Sequence, residues 1–360
     1  MIGNLKNPDS NFYQQLNMIN DNASQGQKKT TQSPSSYTTN LTNFLENPSV
    51  QQPWQKTLGT LQTITQQMLN STDSNQAAYT YTAEKLRKKQ QEAIVQTLIK
   101  QTNTAPLLIQ KGLKAISQSY WTVMFNSSHK YIDNQWQNSV KPLYQAGIKN
   151  KFPIFSNARS DITTADFNAF FSPKGAVDTF FNNYLAPFVN TKGYYWTWKK
   201  IDGKSMDIPQ TTLDMIIRAS IIQQMFYSNN ATNPSQQFAL TLKNMSDNIS
   251  SIAFNIEGQT INFKTGQTDL HTLQTPGTKP EAVSLTFYGT HGKYSLNTKG
   301  PWAWLRLVQR GNIKTTSDTN QFLLNFTTTH YTATLGLVTQ NKVNPYLPGV
   351  LSAFRCPDNL

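Results

Sequence analysis

Cysteine is almost missing. Cys356 stands alone among 360 residues, so no internal disulfide can form. Charge is sparse too, with Asp, Glu, Lys and Arg together at 14%. No apolar run approaches the ~20 residues that span a bilayer. No basic start, apolar run and small-residue site mark a cleavable signal peptide. Read by itself, the chain looks cytoplasmic. The four histidines, His129, His271, His291 and His330, show neither His-Glu-x-x-His nor Cys/His metal spacing, and each reads as an ordinary surface histidine. The run Gly289-Thr-His-Gly-Lys293 lacks phosphate-loop spacing and leads into no helix, so it reads as a hairpin end. These gaps speak against an enzyme, and no cofactor or metal is expected.

What is present is amide- and hydroxyl-rich, with 37% hydrophobic residues and a net charge of +13. Residues 1–80 are balanced, 81–235 carry 18 basic against 9 acidic groups, and 236–360 carry 10 against 6. A basic helical region can face nucleic acid, anionic lipid or an acidic surface, or can simply be solvated. The densest cluster, Lys85-x-Arg87-Lys88-Lys89, covers barely more than one helical turn and lacks the interleaved aromatics of single-strand binding. The alternative function from composition is therefore a polyanion-binding module over Lys85–Lys114, taking nucleic acid or envelope glycan. Nucleic acid is not the favoured partner.

The period of the apolar residues divides the chain. Helical spacing governs the first two-thirds. A short helix is expected over 9–20, then a polar linker over 22–37. A helix after Pro53 carries Leu58, Leu61, Ile64 and Met68, and a second over 76–101 carries Leu86, Ile94, Leu98 and Ile99. Helical pattern continues over 107–125 and 129–144, and a last helix starts at Pro209. After about residue 235 the period becomes two: Phe238/Leu240/Leu242, Ile252/Phe254/Ile256, Ile261/Phe263, Val283/Leu285/Phe287, Phe322/Leu324/Phe326 and Ala333/Leu335/Leu337. That alternation predicts strands with one buried and one wet face, as in a small β-sandwich. Pro301 and Gly311 bracket one short helix. The expected fold is α+β, an all-α domain over 1–235 followed by a β-sandwich domain over 236–360 with one short helix. Ser228–Pro234 is the expected boundary.

Several side chains carry two readings. Asp166 and Asp178 can be a carboxylate pair or can serve helix starts. Trp196, Trp198, Trp302 and Trp304 can form a ligand platform or pack into cores. Trp302 and Trp304 cannot share one helical face, so one in the core leaves the other exposed or at the domain junction. Cys356, beside Arg355, can be a lowered-pKa thiol or a small buried residue.

The densest pattern is Ala165–Val189. Thr163 and Asp166 have capping-box spacing, and Ser172-Pro173 predicts a second helix start. Val177, Phe180, Phe181, Tyr184 and Leu185 form one stripe, and Pro187 stops it. This order of Asp166, Phe167, Phe170, Phe171, Pro173, Gly175, Asp178, Phe180, Phe181, Tyr184, Leu185, Pro187 and Phe188 resembles the signature of the IcmF/TssM family. Three further stretches agree in sequence order. Trp136, Val140 and Tyr144 lead into Lys151-Phe-Pro-Ile-Phe155; Gly300, Pro301 and Trp302 open Gly300–Val308; and Phe354, Arg355, Cys356 and Pro357 lie near the end. The resemblance implies the periplasmic C-terminal part of a large inner-membrane protein of type VI or Dot/Icm type IVB secretion, with membrane-spanning and cytoplasmic parts upstream. It implies protein partners: a DotU/TssL-type inner-membrane protein, and a TssJ-type outer-membrane lipoprotein or a Dot/Icm core component. Residues 265–281 and 311–320 are the candidate binding loops. These residues do not separate the two branches.

Overall fold

The computed structural model describes residues 47–88 and, apart from 194, 202, 228–230, 278–281, 342 and 348, residues 107–360, together with Gln14, Met18 and Lys100. The helix expected over 9–20 lies outside the described residues except for Gln14 and Met18, which are helical, and the linker over 22–37 lies outside them entirely. The fold is α+β, helices first and then two antiparallel sheets with one short helix.

The helices are α1 (Pro48–Leu69), α2 (Ser74–Arg87), α3 (Leu107–Ser139), α4 (Lys141–Leu143), α5 (Thr164–Phe171), α6 (Ala176–Phe180), α7 (Gln210–Phe226) and α8 (Ala303–Arg310). The chain forms two compact units, 1–134 with 185–208, and 135–184 with 209–360. In the first, Asp73 caps α2 by accepting from the amides of Asn75 and Gln76 at 2.9 and 3.0 Å. Leu58 and Leu61 of α1 are fully buried. Helix α1 starts at Pro48, before Pro53. Tyr79 packs between Tyr131 and Phe188, with ring centroids 5.0 and 5.7 Å away. Strands β1 (Val189–Asn190) and β2 (Thr197–Trp198) form a two-stranded ribbon here.

The second unit holds the sandwich. One sheet has the order β6-β3-β11-β10-β9, the other β5-β4-β7-β8. The strands are β3 (Gln236–Met245), β4 (Ile249–Ile256), β5 (Gln259–Lys264), β6 (His271–Thr275), β7 (Ala282–Gly289), β8 (Gly292–Lys299), β9 (Asn312–Thr315), β10 (Gln321–Thr327) and β11 (Thr332–Thr339). Every alternating apolar residue predicted for these strands is buried. The sequence pattern did not mark β6, β8 and β9. All three are sheet edges: β8 and β9 mostly meet water, and β6 buries only Leu273 and Thr275, too short a stripe to stand out in the sequence. The expected loops 265–281 and 311–320 therefore contain strands β6 and β9. Helix α8 touches β7 and β8 of one sheet and β9 of the other.

A core truncation here is costly. Phe254→Ala should lower unfolding free energy by about 3–5 kcal/mol. Asn262→Ala, on the wet face of neighbouring β5, should change it by less than about 0.5 kcal/mol. Urea denaturation followed by tryptophan fluorescence measures both.

Candidate interaction site

Most residues of the family pattern lie in the second unit, where several fasten the sandwich to its helices. Thr163 caps α5 through Oγ1, which accepts the Asp166 amide at 3.0 Å. That start aims Phe167 at Trp302, at the head of α8, with centroids 4.7 Å apart. Phe226, at the end of α7, closes the triangle, 5.2 Å from Phe167 and 5.5 Å from Trp302. The indole Nε1–H of Trp302 donates to the Ile162 carbonyl at 2.7 Å. A buried ring is thus held by packing and by the one hydrogen bond that keeps its polar edge satisfied.

Arg306, one turn further along α8, forms an ion pair with Asp161. It donates to the carbonyls of Ala158 and Arg159 at 3.2 Å and lies 4.2 Å over the Phe152 ring. Its planar donors suit such a multiply bonded, half-buried seat, which a lysine would not reproduce. Asn341 is a second fastener. Its amide donates to Met225 and Ser235 carbonyls at 2.9 and 3.1 Å, and its oxygen accepts the Gln237 amide at 2.8 Å.

The C-terminal segment is the third. Phe354 packs on Phe171, Phe170 and Tyr144 at 5.1, 6.0 and 6.3 Å. Trp136 donates to the Pro357 carbonyl at 3.2 Å, and Gln137 and Lys141 donate to that of Asp358 at 2.6 and 2.9 Å. Arg355 lies 4.2 Å over Phe155, so it faces a ring instead of activating a thiol. Burial, reinforced by nearby Asp358, pushes the Cys356 thiol far up, against a smaller opposing pull from Lys141. A protonated thiol is a poor nucleophile, which speaks against the lowered-pKa reading; the residue itself is half-buried.

Other expectations are corrected by local geometry. The second helix of the motif does not start at Ser172-Pro173. Lys174 adopts φ +67, outside helical space, so α6 starts after Gly175, with the Lys174 amide donating to Asp178 at 2.9 Å. A Cβ on Gly175 would lie 2.9 Å from the Ser172 carbonyl oxygen, too close for any other residue without a shift. Asp166 lies 3.8 Å from Lys151 Nζ, while Asp178 also takes Asn182. The two acids thus serve separate local contacts. Phe181, Tyr184 and Leu185 sit in a wider π-helical turn; Leu185, Pro187 and Phe188 belong to the first unit. There the Pro187 carbonyl accepts Lys199 Nζ at 2.8 Å, and burial lowers the pKa of that lysine.

The four tryptophans likewise divide, Trp196 and Trp198 in the first unit, Trp302 and Trp304 in the second. Trp304 is the core residue, stacked 4.4 Å from Phe238 with its N–H on Tyr346, and Trp302 takes the junction. In the basic cluster, Lys88 pairs with Glu84 and Lys85 lies over Tyr81, while Lys89 lies outside the described residues. Among the described residues, no group of three His, Cys, Asp or Glu side chains is placed to hold a metal, and no helix is long and apolar enough to cross a membrane.

Among the described residues, no strand pairs with the outer sides of the edge strands β6, β9, β5 and β8, while on β6 the Gln259 side chain bonds both the N–H and the carbonyl of Gln274, at 3.2 and 2.7 Å. Tyr288 and Tyr294, on the paired strands β7 and β8, are exposed beside Lys293.

Residues 127–232 match the family described as type VI secretion protein IcmF helical domain, and residues 238–341 match the type VI secretion protein IcmF C2-like domain. The chain belongs to the IcmF/TssM family. What it carries is that family's C-terminal region. It is 25% identical over 258 residues to the type VI secretion system component TssM1 of Pseudomonas aeruginosa; the match covers 71% of this chain and 23% of that protein. The fold is that of the C-terminal domain of the type VI protein TssM from EAEC, with TM-score 0.55 and 17% identity over 63% of this chain and 95% of that one. A chain of a type VI secretion system membrane core complex is similar at TM-score 0.68 and 15% identity, over 87% of this chain and 67% of that one. The IcmF/TssM pattern residues Phe167, Trp302 and Phe354 are thus placed at the fasteners of this fold.

Two measurements check the junction. Arg306→Met, which strands Asp161 in a half-buried site, should cost about 3 kcal/mol in urea unfolding, and adding Asp161→Asn should cost less than the sum of the single changes. Cys356, with its pKa raised, should react with iodoacetamide at pH 8 at least about tenfold more slowly than in the urea-unfolded chain.

Proposed function

We propose that this chain is a structural part of a secretion-system membrane complex, of the type VI branch over the Dot/Icm one. It works without catalysis, through protein–protein contacts on the periplasmic face of the inner membrane. In this reading residues 1–235 supply a helical spacer and residues 236–360 a sandwich cap that engages the outer membrane. The partners are a TssJ-type lipoprotein on the cap and a DotU/TssL-type protein reached mainly through other parts of the full-length protein, which is itself membrane-anchored.

One observation carries this proposal. The pattern residues Trp302 and Phe354, together with Arg306 and Asn341, fasten the sandwich to helices within 135–184 and 209–226. A docking head that transmits force or position needs such a stiff mount, because a hinged one would dissipate both. The bare edges and loops then supply the contact, by added strands or by shape.

The whole chain should capture a TssJ-type lipoprotein in a pull-down. Replacing residues 265–270, or separately 316–320, with Gly-Ser sequence should weaken capture at least about tenfold, with the thermal transition unchanged. Undiminished capture by both variants would remove the sandwich loops from this role.

A further inference from the structure

Three turns close the end of the sandwich away from α8: 246–248 between β3 and β4, 290–291 between β7 and β8, and 328–331 between β10 and β11. Strands β7 and β8 belong to the four-stranded sheet, and β10 and β11 to the five-stranded one. His291 stands in the first sheet's turn and His330 in the second's. Their rings stack across the gap, with centroids 4.6 Å apart and planes within 1° of parallel. Both residues are exposed.

The neighbouring groups fix where protons can sit. Asn248 Nδ2 donates to the His330 carbonyl at 2.7 Å, and a backbone carbonyl can only accept, so this amide turns its N–H groups toward the stack. Its oxygen meets the Ser246 hydroxyl at 2.7 Å. The same Nδ2 lies 3.5 Å from His291 Nδ1, which faces that donor with a lone pair, and Thr290 Oγ1 lies 3.1 Å from the same nitrogen. Tyr331 holds the base of the tip. Its hydroxyl donates to the Gly292 carbonyl at 2.6 Å and accepts the His291 amide at 3.1 Å, while its ring stacks on Phe287 at 5.9 Å. A Cβ on Gly289 would collide with the Asn248 carbonyl oxygen, so two of the turns meet backbone to backbone.

We propose that the His291–His330 stack is a proton-operated clasp between the two sheets. It is closed while the rings carry at most one charge and opens when both are protonated. Imidazole is the side chain that ordinarily changes charge between about pH 5 and 8. One cation over a neutral π face is attracted, whereas two cations at stacking distance repel. Protonating His291 Nδ1 also sets a donor against the Asn248 donor. Both effects link proton uptake to opening, so acid loosens this end. The other charged groups of these turns and strand ends are Asp247, exposed between β3 and β4, and Lys293 on β8, which lies 5.9 Å from the Tyr288 ring; the phenols are Tyr288 and Tyr331. Among the described ion pairs none includes either ring. The inference does not rest on the docking role proposed above.

Hydrogen exchange of the whole chain, corrected for its intrinsic pH dependence, tests the clasp. Protection of amides in 290–292 and 328–332 should fall at least about threefold from about pH 7.5 to about pH 5, while the middle of β4 and β11 keeps its protection. His330→Gln and, separately, His291→Gln should abolish that pH response, and His129→Gln, in α3, should keep it. Histidine-selective NMR titration should give coupled curves for the two rings, broader than a single site, and replacing either ring should return the other to single-site behaviour. Should a variant not fold, the wild-type curves decide: broadened curves support the clasp and single-site curves overturn it. Equal protection at both pH values, a response that persists in either single variant, or ring titrations unchanged by loss of the partner would also overturn it.

Discussion

The seat of Trp302 is the constraint on which the second unit depends. The residue brings a large apolar ring and one N–H that cannot be left dry. The ring finds Phe167 and Phe226, and the N–H finds the Ile162 carbonyl at 2.7 Å. Each solution fixes a different element: α5, α7 and the segment before α5. Because one rigid side chain satisfies all three, none can shift without exposing apolar surface or orphaning a carbonyl. Arg306, Asn341 and Phe354 extend the same seat outward. The helices and the sandwich are packed there as closely as one core.

Much of this was legible in the sequence, and the reasons are physical. A sheet with one wet face must alternate, so Phe254, Leu285 and Leu324 announced their strands. A helix that starts in a crowded place must satisfy its first amides, so Thr163 announced α5. What stayed hidden was long-range pairing. Nothing near Trp302 names Ile162, 140 residues away, and nothing near Arg306 names Asp161, 145 residues away. Asn341 looks like one more polar residue in an amide-rich chain, and only the fold turns it into a three-way fastener. Lys174 likewise carries no outward sign of its left-handed backbone, so the Ser172-Pro173 start reads correctly by rule and fails in place.

The edges have a further consequence. An open sheet edge recruits any strand it meets, including that of an identical molecule, and fibrous self-association is the hazard. Here the outer strands are guarded. β5 ends on Lys264, β8 carries Lys293 and Lys299, β9 carries Lys314, and β6 runs into Pro276. The inner strands β4, β7, β10 and β11 contain no lysine, and that of β3, Lys243, falls at the register shift against β11. Positive charge in the sandwich is therefore concentrated on its rims, where like repels like. The modest basic excess of this half of the chain acts as a gatekeeper that keeps copies from zipping together while leaving the rims open to a strand of opposite charge.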